Sequence, residues 1–254
     1  MALVTPMDED GGIDRVGLVR LMNHVSPWVD GYVVMGTTGE PATLGKTEQD
    51  KAIREVIDLA GGKTVLAGVG GNDTASTCRR VEEVARLGAD GALAVVPYYT
   101  RPPIRGIVAH YREVARVGLP VMAYNVPSRT GVDVSPAWAE IAAIEGVVGI
   151  KQAGPDLAVL QTMTPLGKVW CGEDDLVVPY RALGVVGVVS AAANVYPEEM
   201  RRLAYAPLEE AGRLQVALYP TLRALYRETN PIGIKAALAK LGICGATVRL
   251  PLMQ

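Results

Sequence analysis

The residues best suited to chemistry stand where apolar runs end. Lys151 closes Val147-Val148-Gly149-Ile150, Tyr124 follows Val121-Met122-Ala123, Tyr98 and Tyr99 follow Val95-Val96-Pro97, and Thr37 and Thr38 follow Val33-Val34-Met35-Gly36. Only seven lysines are present, and Lys151 alone finishes an apolar, strand-like run. An amine facing an apolar interior loses hydration, which disfavours the ammonium and frees the neutral amine to attack a carbonyl. An ion-paired core lysine would occupy the same position, and on this residue alone the two readings stand level.

Tyr124 falls on the strand before that of Lys151. A phenol there can shuttle protons during imine formation, or it can be a packed aromatic whose hydroxyl meets backbone. Gly36-Thr37-Thr38-Gly39-Glu40 puts two hydroxyls between glycines at a strand end, where exposed N–H groups can hold a small carboxylate. Arg129 lies on a Pro/Gly-shaped loop just beyond Tyr124, placed to take a carboxylate bidentately or to form a surface salt bridge. With only His24 and His110 in the chain, His-rich metal sites are excluded and proton transfer falls to other groups.

Positioning such residues requires a scaffold. Eight apolar runs recur between turn residues: 2–5, 31–36, 64–67, 91–96, 119–124, 147–151, 168–171 and 186–190. Their continuous hydrophobicity suits parallel strands buried on both faces. Amphipathic segments lie between them, such as Val16-Leu18-Val19-Leu21-Met22-Val25 and Thr77-Val81-Val84-Ala85, with Thr47, Thr74, Ser135 and Asp156 as N-cap candidates. Strand–helix alternation over 254 residues predicts an α/β fold, a (β/α)8 TIM barrel with its active site at the strand C-termini. A doubly wound sheet is the alternative, although no G-x-G-x-x-G follows an early strand. Residues 1–196 are expected to form the barrel core. Residues 197–254 would supply its last helix and a helical C-terminal extension of the same domain, broken at Pro207 and at Asn230-Pro231.

Composition narrows the function classes. With 25 Lys+Arg, 27 Asp+Glu and no basic run, the chain offers no footprint for nucleic acid or an anionic membrane. Cys78, Cys171 and Cys244 are odd in number and far apart, which points to a reducing compartment, and Met1-Ala2-Leu3-Val4-Thr5-Pro6 has no leader pattern, so a cytoplasmic protein is expected. The longest apolar stretch, 183–195, is too short to span a bilayer and belongs in a core. Phe is absent altogether, so Met, Leu and Tyr should fill its volume.

In order along the chain stand A-L-V-T-P (2–6), G-T-T-G-E (36–40), V-P-Y-Y-T-R-P (96–102), Y-N-V-P-S-R-T-G-V-D (124–133), G-I-K (149–151), A-N-V (193–195), N-P-I (230–232) and R-L-P-L (249–252). In these stretches the chain resembles the dihydrodipicolinate synthase/N-acetylneuraminate lyase superfamily of pyruvate-dependent class I lyases. The resemblance implies a Schiff base between Lys151 and pyruvate, with Tyr124, Thr37 and Tyr99 as proton relay and Tyr99 supplied by a neighbouring subunit. It further implies that Thr38 and backbone near Val189 bind pyruvate, and that Arg129 holds the carboxylate of aspartate semialdehyde. No metal or organic cofactor is implied, because the imine is its own electron sink. The implied partners are pyruvate and a small aldehyde, with neither nucleic acid nor membrane, in a homo-oligomer, dimer or tetramer. Arg129 favours the synthase over sialic-acid lyases and sugar-acid aldolases, which usually lack it. Departures from the family pattern are Pro41, Thr100, Gln152, Gly154 and Pro155. Two other readings are an aldolase of the same superfamily acting on a sugar acid or hydroxy-oxoglutarate, and a non-catalytic binder of 2-oxo acids.

Overall fold

The computed structural model describes all 254 residues. Along the chain run α1 (Arg15–Val25), β1 (Gly31–Val34), α2 (Lys46–Leu59), β2 (Thr64–Gly68), α3 (Thr74–Leu87), β3 (Gly91–Val95), α4 (Ile104–Ala115) and β4 (Val121–Asn125). They are followed by the single turn α5 (Pro127–Thr130), α6 (Trp138–Ala142), β5 (Val147–Gln152), α7 (Leu160–Met163), β6 (Val169–Cys171), α8 (Val177–Ala182) and β7 (Gly187–Val188). Three helices complete the chain: α9 (Pro197–Tyr205), α10 (Leu208–Leu225) and α11 (Ile232–Lys240). Two compact units result, one of Met1–Val65 with Ser190–Gln254 and one of Leu66–Val189.

In the second unit every adjacent strand pair from β2 to β7 is parallel and in sequence order. No strand order reverses there, so the doubly wound alternative is excluded. The strands are apolar along their length because helices cover them, and Ala92, Ala94, Val121, Ala123, Ile150 and Val169 are wholly buried. Without Phe, the largest buried side chains are Trp138, Tyr32, Tyr111 and Tyr180, with Met7 and Met22 among the rest. Tyr111 keeps its hydroxyl satisfied by donating to the Ala94 carbonyl at 2.9 Å.

In the first unit, residues 2–3 bond on two sides. Ala2 N–H donates to Ser190 O at 2.7 Å and Leu3 N–H to Val33 O at 3.0 Å, beside a parallel bridge between Ala2 and Val33. The predicted strand over 2–5 is therefore reduced to that bridge, since Thr5 turns away to bond Gly39 and Pro6 has no N–H to continue a ladder. The predicted strand 186–190 likewise keeps only Gly187 and Val188 as β7. The apolar stretch around it is buried at Val185, Val189, Ala191, Ala192, Ala193 and Val195. No helix is long and apolar enough to cross a membrane. After Val195 the helices break at Pro207 and at Asn230-Pro231, where the prolines lack the N–H a continuing helix needs.

The N-caps differ from those expected. Asp73, one residue before Thr74, accepts from Ser76 N–H at 2.7 Å, the carboxylate being the stronger acceptor, while Thr74 pairs with His110 Nδ1. Likewise α2 begins after Gly45, whose N–H donates to Glu48, so Thr47 lies inside the helix. Ser135 donates its N–H and hydroxyl to Asp133, and Asp156 accepts from Ala158 N–H in a turn ahead of α7.

Candidate active site

A kink in β5 aims Lys151. Val121 pairs with Val147 and Met122 with Gly149, so Val148 is an extra residue that bulges outward and is exposed. Gly149 has φ +153°, and a Cβ there would lie 2.4 Å from the Trp170 ring and 2.6 Å from the Lys168 carbonyl oxygen. Only glycine fits. Beyond the bulge the register settles, and Lys151 stands opposite Tyr124 with its Nζ 4.4 Å from the ring centroid. Both residues are buried, at 7% and 6% exposure. No carboxylate pairs with Lys151, so the ion-paired reading fails and the amine faces a phenol ring. Room for its stem comes from Gly172 after β6, where a Cβ would lie 3.0 Å from Lys151 Cε.

The ends of β4 and β5 are tied to the Arg129 loop. Asn125 Nδ2 donates to Asp133 Oδ1 at 2.7 Å and to Gln152 Oε1 at 2.9 Å. Burial acts to raise the Asp133 carboxyl, but hydrogen bonds from Ser135 and Asn125 outweigh it and hold the group below its ordinary value. Gln152 accepts from Asn125 through its amide oxygen and leaves Asp133 as the one acid of this node. Arg129, on α5, is exposed and has no carboxylate partner, which removes the salt-bridge alternative.

Next to Lys151's strand, Cys171 is inert. Burial pushes its thiol well above the ordinary range, and it donates to the Glu173 carbonyl at 3.1 Å. Val189 is buried beyond β7, its N–H donating to Cys171 O at 2.8 Å. Tyr98 is held by its N–H to Asn72 Oδ1 at 2.9 Å. Tyr99 and Arg101 then adopt φ +65° and +46°, a left-handed turn unusual for such side chains. That turn leaves Tyr99 88% exposed.

In the first unit, Thr37–Gly39 form a 3-10 turn between two left-handed non-glycine residues, Met35 at φ +56° and Glu40 at φ +58°. Thr37 is half-buried and Thr38 buried. Asn230 Nδ2 donates to Thr38 Oγ1 at 3.0 Å, which leaves the Thr38 proton for a further acceptor. Sequence reasoning missed Asn230, Gly172, the Asn125–Asp133–Gln152 node and Lys235, which meets Glu40 at 2.5 Å with both side chains almost fully buried. A signal for Lys235 was present: it sits at three-residue spacing between Ile232 and Leu238, on the apolar face of a helix.

A parallel α/β protein with an unpaired amine beside a phenol, at matched positions near the C-terminal ends of neighbouring strands, has the parts of an imine-forming enzyme. Comparison with known proteins agrees. The model of the dihydrodipicolinate synthetase family matches residues 1–254. The 4-hydroxy-tetrahydrodipicolinate synthase of Methanococcoides burtonii is 40% identical over 99% of this chain and 90% of its own. A crystal structure of dihydrodipicolinate synthase from Aquifex aeolicus matches with TM-score 0.95 and 37% identity, covering 100% of this chain and 91% of that one. A monomeric dihydrodipicolinate synthase variant matches with TM-score 0.95 and 36% identity, covering 99% and 89%. The chain belongs to the dihydrodipicolinate synthetase family.

Proposed function

We propose that the protein is a class I synthase that condenses pyruvate with aspartate semialdehyde to 4-hydroxy-tetrahydrodipicolinate, in lysine and diaminopimelate biosynthesis in the cytoplasm. The observation that carries this reading is the buried, unpaired Lys151 amine over the Tyr124 ring. Nζ attacks the keto carbon of pyruvate and water leaves. The methyl group of the imine then loses a proton to give an enamine, whose carbon bonds to the aldehyde carbon while the aldehyde oxygen takes a proton; the semialdehyde's own amine next adds to the imine carbon, closing the six-membered ring and expelling Nζ as the free Lys151 amine. Each step needs a proton moved near Nζ, and the Tyr124 phenol is the nearest titratable group on the neighbouring strand. Thr37 and Tyr99 complete the relay by family resemblance, and the free proton of Thr38 suits a carboxylate of pyruvate, with backbone near Val189 as its other contact. Arg129, exposed and unpaired, suits the carboxylate of the semialdehyde. The imine supplies the electron sink, so these steps call on no metal or organic cofactor.

The fold belonging to this reading is a closed (β/α)8 barrel over 1–196 with a helical extension over 197–254. The bonds of residues 2–3 to Val33 on one side and Ser190 on the other support closure. The active form is a homo-oligomer, dimer or tetramer, supported by an aromatic, Tyr99, left 88% exposed on a left-handed residue.

Incubation with pyruvate and borohydride tests the chemistry. The intact mass should rise by one reduced pyruvate adduct, mapped to Lys151 and absent from Lys151→Ala. Folded protein that gives no adduct makes the binding-only reading the better one. An adduct combined with turnover of a sugar-acid aldehyde, and none of aspartate semialdehyde, would replace the synthase by an aldolase.

A further inference from the structure

We propose that the buried Glu40–Lys235 ion pair is a positioning device that holds the Gly36–Gly39 hydroxyl loop in the geometry with which it receives a 2-oxo acid. This rests on the role given above to Thr37 and Thr38.

Gly39 N–H to Gly36 O at 2.8 Å and Glu40 N–H to Thr37 O at 3.2 Å close the loop's turn, but its ends are strained. Non-glycine residues avoid the left-handed region, yet Met35 and Glu40 both occupy it, at φ +56° and +58°, on either side of the two threonines. Something outside the loop must maintain that shape. The conformation at Glu40 sends its carboxylate inward, where Oε1 meets Lys235 Nζ at 2.5 Å with side-chain exposures of 1% and 0%. Lys235 spends a second proton on the Thr247 carbonyl at 2.7 Å, which fixes the ammonium between the loop and the C-terminal segment. Glu40 Oε2 is buried and accepts no hydrogen bond, so Lys235 is the one cation in direct contact with this carboxylate, and Arg249 acts on it only at longer range. Removing two charges from water costs about as much as the pair regains, so a pair this deep is poorly explained by stability. Its geometric consequence is definite: α11 sets where Glu40 lies, and through it where the threonine hydroxyls lie.

Two further contacts point the same way. Asn230, just before α11, donates to the Thr38 hydroxyl at 3.0 Å, and Thr5 donates its hydroxyl to the Gly39 carbonyl at 2.7 Å. The loop is thus gripped at Thr38, Gly39 and Glu40, and Lys235 supplies the only charged grip. Burial pushes the Lys235 ammonium below the ordinary lysine range, with the Glu40 charge pulling it back.

The test measures borohydride trapping of pyruvate against pyruvate concentration in the full chain. The paired variant Glu40→Gln/Lys235→Met removes both charges and strands neither. It should unfold cooperatively near the parent's temperature, yet need about tenfold more pyruvate for half-saturation, the effect of one displaced hydrogen bond to a charged group. In a Thr38→Val background the same pair of changes should move half-saturation less than about threefold, because the route through Thr38 is already cut. If the paired variant does not fold, Glu40→Asp, which keeps the charge and shortens its arm, replaces it with the same expected rise and the same non-additivity. Parental half-saturation in the folded variant, or effects that multiply with Thr38→Val, would overturn the proposal. A parent that traps no pyruvate would instead sink the imine reading itself.

Discussion

Gly172→Ala tests whether the space around Lys151 is built for its amine. A methyl at residue 172 would stand 2.8 Å from Ala153 Cβ, 3.0 Å from the Gln152 carbonyl oxygen and 3.0 Å from Lys151 Cε. Carbon atoms in contact ordinarily keep about 3.5–4.0 Å, so the two carbon contacts fall short by roughly half an ångström or more. The backbone can yield little, since Gly172 N–H is bonded to Gln152 O at 2.7 Å and Ala153 N–H to Asn125 O at 2.9 Å. The Lys151 stem is the flexible party, and its Nζ should move by a comparable distance. Overpacking of this kind costs about 1–3 kcal/mol, within the stability of a domain this size. A full ångström of misplacement can cost about a hundredfold in rate, so half of that should slow trapping by about tenfold. Denaturant unfolding reads the first quantity, and borohydride trapping at saturating pyruvate the second. Gly154→Ala is the control, because its nearest outside atom would be 3.7 Å away, an ordinary contact. If Gly172→Ala loses the expected stability but traps at the parental rate, or if Gly154→Ala is slowed equally, the packing argument is wrong.

Three other outcomes are expected. Gly212→Ala, inside α10 with nothing within 4 Å of the new methyl, should stabilise the protein by about 0.5–1 kcal/mol by denaturant midpoint, and a loss would show strain there. Glu48 is held down to about 2, chiefly by its bond from Arg249 and then by Gly45 N–H, and Asp133 also lies low. The unfolded chain binds more protons at these groups, so their stabilisation is complete above the unfolded value of 4.5 and is lost as pH falls towards 2. Unfolding midpoints between pH 2 and 6 should follow that course, with a shallower fall in Arg249→Ala; an unchanged slope in that variant would refute the Glu48 assignment. Arg129→Ala should raise the aspartate semialdehyde requirement while leaving pyruvate trapping intact, and equal loss of both would remove its substrate role.

The parts of the fold readable from sequence are those that repeat. Seven of the eight apolar runs became strands, and the eighth, over residues 2–5, keeps its bonds as a bridge, because burial on two faces demands unbroken hydrophobicity. Element ends were less legible. Asp73 displaced Thr74 as a cap because a carboxylate competes better for the same N–H groups, and Pro6 cut short a run that hydrophobicity alone would extend. The site divided along the same line. Lys151 and Tyr124 could be found at strand ends, since a parallel sheet puts its functional groups there, whereas Gly172 has no side chain to announce itself and acts only by leaving room.

Lys235 shows how a charge on an apolar face should be weighed. Lys151 and Lys235 both follow isoleucines or glycines in apolar surroundings, as G-I-K at 149–151 and again at 233–235, and both are buried. Their roles separate on one physical question, whether a carboxylate stands within reach. Glu40 neutralises Lys235 at 2.5 Å and fixes it as structure, while Lys151 meets only the face of an aromatic ring, which attracts a cation without satisfying its hydrogen bonds. The amine that no carboxylate engages is the one whose nitrogen can attack a carbonyl carbon through its lone pair once it has lost its proton. On the readings proposed above the paired one transmits position, and the same tripeptide would serve catalysis in one place and scaffolding in the other.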